Sequence, residues 1–234
     1  MKAITSNILA ISLCASLASS AYAGEDKTSI QLIFDDSGVL LDPVNADKQK
    51  MVLLAHLKEL GKQRKYRNAQ IDIISTSRGK TVWSGVPKDL KGNNPKAKLA
   101  VDEVTTKPGH CNALTNAFEE LHSNLDDLAW QGYTSASVIV FSSLIHTPQP
   151  CTSETTITLP QLPPAGSDIN KYLTSSPIVQ SIDFFWVAHE QRNVWKSHLE
   201  STYDWSIKEG VSLRFTDAQR TPPALLSNPI LEVR

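Results

Sequence analysis

Residues 30–38 read Ile-Gln-Leu-Ile-Phe-Asp-Asp-Ser-Gly, and this stretch decides the fold. Its apolar run is nearly unbroken, which is typical of a strand that is buried on both faces of a sheet. The run ends at Asp35, and the polar residues Asp36, Ser37 and Gly38 follow directly. We therefore predict a core strand over 30–35 that ends in a polar loop.

Strand and helix patterns alternate along the rest of the chain. Apolar residues recur with helical spacing between Ala46 and Leu60, and Gly61 is placed to end that helix. Turn residues at 78–80 predict a hairpin between strands 69–75 and 81–83. The other predicted strands are 137–142, 181–187 and 211–215, and the other predicted helical segments are a turn at 97–101, a helix carrying Leu114 to Leu125 with Asn112 as N-cap, and a helix over 192–208.

This order of elements predicts one α/β domain of Rossmann-like type. Strands that alternate with helices favour a mostly parallel sheet with helices on both faces, and the hairpin adds one antiparallel strand. Residues 147–178 are rich in proline and predict a loop insertion, with a short edge strand at 155–159. No repeat or linker divides the chain, so we predict a single domain.

The first 23 residues have the three parts of a secretory signal peptide. Lys2 precedes an apolar stretch from Ile8 to Ala18, and Ala21 and Ala23 offer small side chains to signal peptidase. An apolar core of about eleven residues is too short to cross a bilayer, which needs roughly twenty. We therefore predict cleavage after Ala23 and a mature periplasmic domain over 24–234 with no membrane span.

Charge indicates the class of partner, and cysteine content indicates a disulfide. Removal of Lys2 with the signal peptide changes the formal net charge from −1 to −2, so no basic excess favours nucleic acid. The mature chain keeps Cys111 and Cys151, and two cysteines in an oxidising compartment predict one disulfide. Closure of a loop of about 40 residues contributes on the order of 4 kcal/mol in the chain-entropy model.

The order of motifs resembles the von Willebrand factor A (vWA) domain over about Ser29 to Phe215. The matching features are an apolar strand ending in Asp35-x-Ser37, a long helix, the hairpin, a glycine before a helix with Ala117-Phe118, and the strand 138–141 before a polar loop. The resemblance implies a metal-ion-dependent adhesion site at the strand ends, where oxygen ligands hold Mg²⁺ and a partner's carboxylate completes the coordination.

By that resemblance Asp35 and Ser37 match two of five expected ligands. Val39, Cys111 and Ser143 occupy the other three positions, so the implied metal site is degenerate and we predict no cofactor. The alternative is that Asp35 and Ser37 still hold Mg²⁺ or Ca²⁺ with a carbonyl oxygen and water. A disulfide between Cys111 and Cys151 would either clamp this degenerate site or only pin a long loop, and both possibilities stay open.

A second resemblance, to the haloacid dehalogenase (HAD) phosphatases, rests on residues 34–42. Those enzymes use one aspartate as nucleophile and a second, two residues on, as general acid. Here Asp35 would be the nucleophile, but Ser37 stands at the second position, and the acidic pair of a later strand is offered only by His189-Glu190 or Thr216-Asp217. A metal-dependent phosphatase using Asp35 is therefore the alternative function.

The leading functional prediction is a non-enzymatic, protein-binding vWA-like domain. It follows from the resemblance together with the absence of a complete set of catalytic residues in the sequence. The predicted partner is another envelope protein, in a secretion or conjugation assembly that spans the envelope. The predicted binding face is the strand-end edge of the sheet, lined by Asp35, Ser37, Cys111, Ser143 and His146.

Overall fold

The computed structural model describes residues 27–147, 157–163, 169–174, 176–202 and 211–226. The predicted signal peptide lies outside these residues. The six strands that these residues form are β1 (Thr28–Phe34), β2 (Gln70–Ser75), β3 (Lys80–Gly85), β4 (Ser135–Phe141), β5 (Val179–Val187) and β6 (Ser212–Asp217). The α-helices are α1 (Pro43–Leu60), α2 (Pro95–Val104), α3 (Leu114–Trp130), α4 (Ile169–Thr174), α5 (His189–Thr202) and α6 (Thr221–Leu226).

The strands form one sheet in the order β3-β2-β1-β4-β5-β6. All neighbouring pairs are parallel except β2 and β3, which form the antiparallel hairpin. The predicted fold class is therefore confirmed. β1 lies between β2 and β4. After β1 the chain first forms β2 and β3 on one side of it, and later forms β4, β5 and β6 on the other side. Open α/β sheets bind ligands most often beside the carboxyl end of a strand in this position.

Alternation along β1 divides the core into two layers. Ile30, Leu32 and Phe34 pack with buried residues of α1, α2 and α6 on one face of the sheet. Ile33 points to the other face, where it packs with α3, α4 and α5. Successive side chains of a strand point to opposite faces, so an almost continuous apolar run serves two helix layers. This arrangement confirms helices on both faces.

Several element bounds differ from the prediction for local reasons. α1 begins earlier, at Pro43, because Asp42 caps it by accepting from the Asn45 amide. The predicted turn at 97–101 is the middle of the full helix α2, which Asn94 caps. Ile157–Leu159 of the predicted edge strand lie in no strand, and the preceding residues of that strand are outside the described part of the chain.

Two short helices were not predicted. The sequence Thr221-Pro222-Pro223 suggests a tail, but it opens α6, since proline suits the first turn of a helix, where amides have no intrahelical acceptor. α4 lies inside the proline-rich segment and contributes the buried Ile169 and Leu173 to the core. In the described residues, no helix has the length and apolar content needed to cross a membrane.

Candidate functional site

Polar residues from three loops meet where β1, β2 and β4 end. Phe34 of β1 lies opposite Phe141 of β4, and the Asp35 amide donates to the Phe141 carbonyl at 2.9 Å. The Thr76 amide donates to the Phe34 carbonyl at 3.1 Å, which brings the end of β2 to the same place. The first residues beyond each parallel strand therefore lie next to one another.

The Asp35 carboxylate is the centre of this meeting point, and it is completely buried. One oxygen, Oδ1, accepts from the amide and hydroxyl of Ser37, at 3.1 and 2.5 Å. The other oxygen, Oδ2, accepts from Asn112 Nδ2 at 2.9 Å and from the Ser142 hydroxyl at 2.8 Å. We call these four residues the Asp35 cluster. Each oxygen of the Asp35 carboxylate thus accepts two hydrogen bonds from other groups of this chain.

Burial and hydrogen bonding act on Asp35 in opposite directions. Burial raises the pKa of its carboxyl above the ordinary value, because the charged form loses contact with water. The Ser37 and Ser142 hydroxyls and the charge of Lys50 lower the pKa, without cancelling the effect of burial. A carboxyl that is both buried and surrounded by hydrogen-bond donors is better suited to hold loops together than to exchange ligands with solvent.

Asn112 ties the loop before α3 to the segment after β4. Its Nδ2 donates to the Ile145 carbonyl at 2.7 Å as well as to Asp35. Its backbone amide donates to the Thr147 hydroxyl at 2.6 Å, and the Thr147 amide donates back to the Asn112 carbonyl at 3.0 Å. The predicted N-cap role of Asn112 is wrong, because α3 begins at Leu114 and the Asn112 side chain is used in the cluster.

The resemblance placed two residues of this site one position away from those that contact Asp35. Asn112 contacts the carboxylate where Cys111 was expected, and Ser142 does so where Ser143 was expected. β4 ends at Phe141, so the first residue beyond it is the one that lies beside Asp35. Ser143 is buried, and among the described residues its hydroxyl has no hydrogen-bond partner.

Asp36 belongs to a second, separate group. Its carboxylate accepts from the Ser75 hydroxyl, from the Ser77 amide at 2.9 Å, and from Lys107 Nζ at 3.2 Å. Burial raises the pKa of Asp36, but the Ser77 amide and hydroxyl, Ser75 and Lys107 outweigh it, and the pKa lies below its usual value. Asp36 points away from Asp35, as strand alternation predicts, and does not join the cluster.

Lys50 contacts the site from α1, and the sequence did not reveal it. It lies on α1 and is completely buried. Its Nζ donates to the Asp35 carbonyl at 2.7 Å, to Asp47 Oδ1 at 2.9 Å and to the Val104 carbonyl at 2.9 Å. Burial lowers the pKa of Lys50, and the hydrogen bond and charge of Asp47 oppose this. One ammonium group thus joins the end of β1 to α1 and to the end of α2.

His146 and Cys111 lie at the border of the cluster. His146 is half-buried, and its Nδ1 has no hydrogen-bond partner within the described segments. Burial lowers its pKa, while the Asn112 carbonyl has the opposite effect. Cys111 is also half-buried, next to Asn112 in the chain. Cys151 is outside the described residues, so the disulfide stays a prediction.

The predicted binding face is largely closed to a partner. The structure does bring Asp35, Ser37 and Ser143 together at the strand ends, but all three are completely buried. A partner therefore contacts none of them directly while the cluster is closed. Of the predicted residues with described surroundings, only His146 and Cys111 retain partial exposure.

Both Asp35 oxygens are occupied by hydrogen bonds in this arrangement, while the side-chain oxygens of Asn112 and Ser143 are buried without a partner among the described residues. Mg²⁺ and Ca²⁺ bind oxygen lone pairs, whereas Asn112 turns its amide nitrogen toward Asp35 and toward the Ile145 carbonyl. An amide nitrogen that donates two hydrogen bonds has no lone pair for a metal. Over the described part of the chain, no group of three or more histidine, cysteine, aspartate or glutamate residues could hold a metal ion.

The phosphatase alternative finds no support in the geometry. A nucleophile must reach its substrate, and the Asp35 carboxylate is covered and hydrogen-bonded on both oxygens. Asp217, offered by the sequence as a second acidic group, accepts instead from the Arg220 amide at 3.0 Å and from Arg192 at 3.5 Å. Asp35 and Asp217 share no hydrogen-bond partner among the described residues.

Exposed apolar side chains follow β1, next to the closed cluster. Leu41 and Val44 are exposed, and the exposed fraction of Val44 is 66%. The segment is held in place because Trp186 Nε1 donates to the Leu41 carbonyl at 2.7 Å and because the Gly38 amide donates to the His110 carbonyl at 3.0 Å. We call residues 38–44 the rim segment.

The rim segment is fixed by close contacts at both of its ends. A Cβ on Gly38 would lie 2.8 Å from the Gly109 amide nitrogen, so only glycine permits this approach of the two loops. Trp186 has a left-handed backbone, with φ of 65°, and its ring stacks on Phe141 at 5.6 Å between centroids. A bulky residue adopts such a backbone only where its surroundings require it.

Comparison with known proteins bears on the fold. No protein-family model matches the chain, and no curated protein matches it in sequence. The pilus adhesin SpaC from Lactobacillus rhamnosus GG, in an open conformation, is 10% identical with a TM-score of 0.56, and the match covers 88% of this chain and 30% of SpaC. This chain therefore corresponds to less than a third of SpaC.

Two further solved structures have lower TM-scores. Manganese-loaded TRAP from Plasmodium vivax is 13% identical with a TM-score of 0.49, over 88% of this chain and 74% of TRAP. The vWF domain of the type V pili tip protein Mfa5 from Porphyromonas gingivalis is 14% identical with a TM-score of 0.36, over 63% of this chain and 47% of that chain. At these identities a likeness concerns the fold alone. The mostly parallel sheet with one antiparallel hairpin and the polar strand ends agree with the fold that the vWA resemblance implies.

Proposed function

We propose that this chain is a non-enzymatic protein-binding domain that binds its partner through the rim segment, with the Asp35 cluster as a metal-free support. The observation that carries the proposal is the closed state of Asp35, whose two oxygens are fully used by Ser37, Asn112 and Ser142. The Asp35 carboxylate itself is therefore free neither as a nucleophile nor as a metal ligand, whereas Leu41 and Val44 are exposed.

The rigidity of the rim segment favours binding. A loop that is already held by Trp186, Gly38 and the α1 cap loses little conformational freedom when a partner covers it. Its apolar side chains offer area to bury, and the half-buried His146 and Cys111 lie at the border of the neighbouring cluster. The partner would therefore cover the cluster without coordinating anything inside it.

The setting that we propose is the periplasm, with a component of an envelope-spanning secretion or conjugation assembly as partner. The signal-peptide pattern of residues 1–23 supports this setting, and the predicted disulfide between Cys111 and Cys151 would form only in an oxidising compartment. SpaC, whose fold resembles this one, is a pilus adhesin, which agrees with a protein-binding role outside the cytoplasm.

Site-specific photo-cross-linking in the native cell envelope tests the proposal. A benzophenone amino acid replaces Val44 in one variant and Trp130 in the other. Trp130 has an exposed fraction of 86%, but it lies at the end of α3, at the opposite edge of the sheet. We expect a discrete cross-linked protein from position 44 and none from position 130.

The same experiment can contradict the proposal. Equal cross-linking from both positions would mean that exposure alone determines the product, and no product from position 44 would remove the rim segment as a binding surface. A second variant, Val44→Asp, should abolish the cross-link from a benzophenone placed at Leu41, because a carboxylate at the centre of an apolar contact is costly to desolvate.

A further inference from the structure

A groove lined by α1, α2 and the 3₁₀ helix Pro87–Leu90 is distinct from the strand-end site. α1 begins beside the rim segment and ends at Leu60, and the groove follows the later part of this helix. It has two adjoining cavities, of about 530 and about 460 Å³, which share Lys58 and Gly92 in their linings. We call the whole the α1–α2 groove.

One half of the groove is apolar. Its lining includes Met51 and Leu54 from α1, Leu90 from the 3₁₀ helix, and Ala97 and Val101 from α2. Leu54 and Leu90 belong to the buried core, so the floor is fixed by the packing of the domain. Val101 on the wall has an exposed fraction of 39%. Such a surface favours aliphatic or aromatic side chains of a ligand.

The other half of the groove is strongly basic. The chain as a whole has a formal net charge of −1, yet the two cavities together are lined by six cations and one carboxylate. The cations are Lys58, Lys62, Arg67, Lys88, Lys91 and Lys98, and the carboxylate is Glu59. Six positive charges against one negative charge create a local potential that attracts anions.

The cations at the end of α1 have a partial structural explanation, but the others do not. Lys58 and Lys62 form salt bridges with Glu59, and cations near the carboxyl end of a helix also complement its dipole. The side chains of Arg67, Lys88 and Lys91 are exposed and form no salt bridge with any described residue. Their charges remain available to a ligand.

We propose that the α1–α2 groove binds an amphipathic acidic segment of a partner protein. The apolar half would take two or three aliphatic or aromatic side chains of this segment, and its carboxylates would lie against Lys88, Lys91 and Arg67. Charge complementarity and the adjoining apolar floor both point to a peptide, since a bare polyanion would leave the apolar half uncovered. From Met51 to Leu60, α1 rises roughly 14 Å, which matches about two and a half turns of a helical ligand.

Peptide selection tests the inference directly on the protein, although its partner is unidentified. The probe is a random library of twelve-residue peptides displayed on phage and selected on the intact mature protein. We expect enrichment of peptides that combine leucine, isoleucine or phenylalanine with several aspartates or glutamates. Synthetic copies of the enriched peptides, labelled with fluorescein, then give dissociation constants by fluorescence anisotropy.

Two pairs of variants locate the binding site. The double variant Lys88→Glu with Lys91→Glu should weaken binding at least tenfold, whereas Lys48→Glu with Lys80→Glu, which changes the net charge equally outside the groove, should change it less than twofold. Val101→Asp should weaken binding, and Leu99→Asp on the same helix should not, because Leu99 is exposed but does not line the groove. All four substituted lysines are exposed, so the fold should be retained.

Clear outcomes would overturn the inference. They are a selection without acidic and apolar enrichment, peptides that bind Lys88→Glu with Lys91→Glu as tightly as the parent, and binding that does not weaken between 50 and 500 mM NaCl. Binding to phosphatidylglycerol vesicles that is lost in this double variant, with no peptide selected, would assign the groove to a lipid surface instead. The rim segment is not involved, so failure here leaves the proposed function standing.

Discussion

At the scale of a single residue, the side chain of Asn112 determines whether the strand ends form a closed cluster or an open site with two carboxylates. Its amide faces Asp35 with hydrogen atoms, so the two side chains attract each other. A carboxylate at the same position would face Asp35 with like charge. The difference is one heavy atom of one side chain, an amide nitrogen in place of a carboxylate oxygen, and it changes the chemistry of the whole site.

Replacement of Asn112 by aspartate is expected to convert the cluster into a divalent-cation site. Two buried carboxylates in contact should lower the free energy of unfolding by about 3–5 kcal/mol, because one of them is left without a compensating partner. Millimolar Mg²⁺ or Ca²⁺ should restore part of this loss. Urea unfolding of Asn112→Asp with and without the cation measures both effects.

The parent protein and Asn112→Ala are the controls for that experiment. We expect neither to gain stability from the cation, and calorimetry of the parent should detect no heat at millimolar Mg²⁺ or Ca²⁺. A clear stabilisation of the parent by either ion would show that Asn112 moves aside for a metal, and the metal-free support would have to be abandoned.

His146 should make stability depend on pH below 6.5. Its pKa is lowered in the folded protein, mainly by burial, so the unfolded chain binds a proton at higher pH than the folded one. Stability is therefore complete above about 6.5, the ordinary pKa of histidine, and falls as pH decreases through that value. His146→Gln should flatten this part of the profile, measured as free energy of unfolding between pH 8 and 5. An equal effect of His110→Gln, at an exposed neighbouring position, would contradict the assignment.

At the scale of elements, Lys50 shows how one helix is fixed to a strand and to a second helix. Two of its hydrogen bonds join α1 to the end of β1 and to the end of α2, and a third goes to Asp47 on α1 itself. Lys50→Met keeps the volume of the side chain but leaves two buried carbonyl groups without their donor. We expect a loss of about 3 kcal/mol in the free energy of unfolding, in the range found when one partner of a buried charged contact is removed. Lys48→Met, exposed on the same helix, should be nearly neutral.

Trp186 controls the rim segment in a different way. Trp186→Phe keeps an aromatic ring against Phe141 but removes the N–H that donates to the Leu41 carbonyl. We expect a modest destabilisation of about 1 kcal/mol. The more specific result should be faster hydrogen exchange in the rim segment, measured by mass spectrometry, with unchanged exchange in β2 and β3. Uniformly faster exchange would indicate global destabilisation instead.

At the scale of the whole molecule, the predicted disulfide connects export with stability. Mature protein from the periplasm should contain no free thiol when titrated under denaturing conditions. Its reduction should lower the free energy of unfolding by on the order of 4 kcal/mol, the loop-entropy value for about 40 residues. Two reactive thiols in the denatured protein would remove the disulfide and one support for the periplasmic setting.

The sheet and its helices were predictable because long-range packing leaves a local pattern in the sequence. The run from Ile30 to Phe34 is apolar at successive positions because both of its faces are covered, and α1 and α3 repeat apolar residues with helical spacing. α6 was missed because its opening prolines suggest a chain end. Their suitability for a first helical turn was the available signal.

The candidate site was predictable only in its location. Asp35 and Ser37 follow directly after the end of β1. The donors Asn112 and Ser142 lie one position away from the residues that the resemblance suggested, because the conformation of a loop gives no periodic pattern in the sequence. Lys50 was missed for a physical reason: a lysine on a helix usually extends into water, and its buried contacts with Asp35 and Val104 arise only when distant segments meet.

The closed Asp35 cluster has a consequence for how such a domain would respond to its surroundings. The donors that saturate Asp35 are covalent parts of the same chain, so their supply is fixed once folding is complete. A protein whose contact surface is assembled around a captured ion responds to chelators and to the mineral content of its medium. On the proposed function, this domain would instead bind its partner whatever the ion content of the medium, and its control would come from its predicted export.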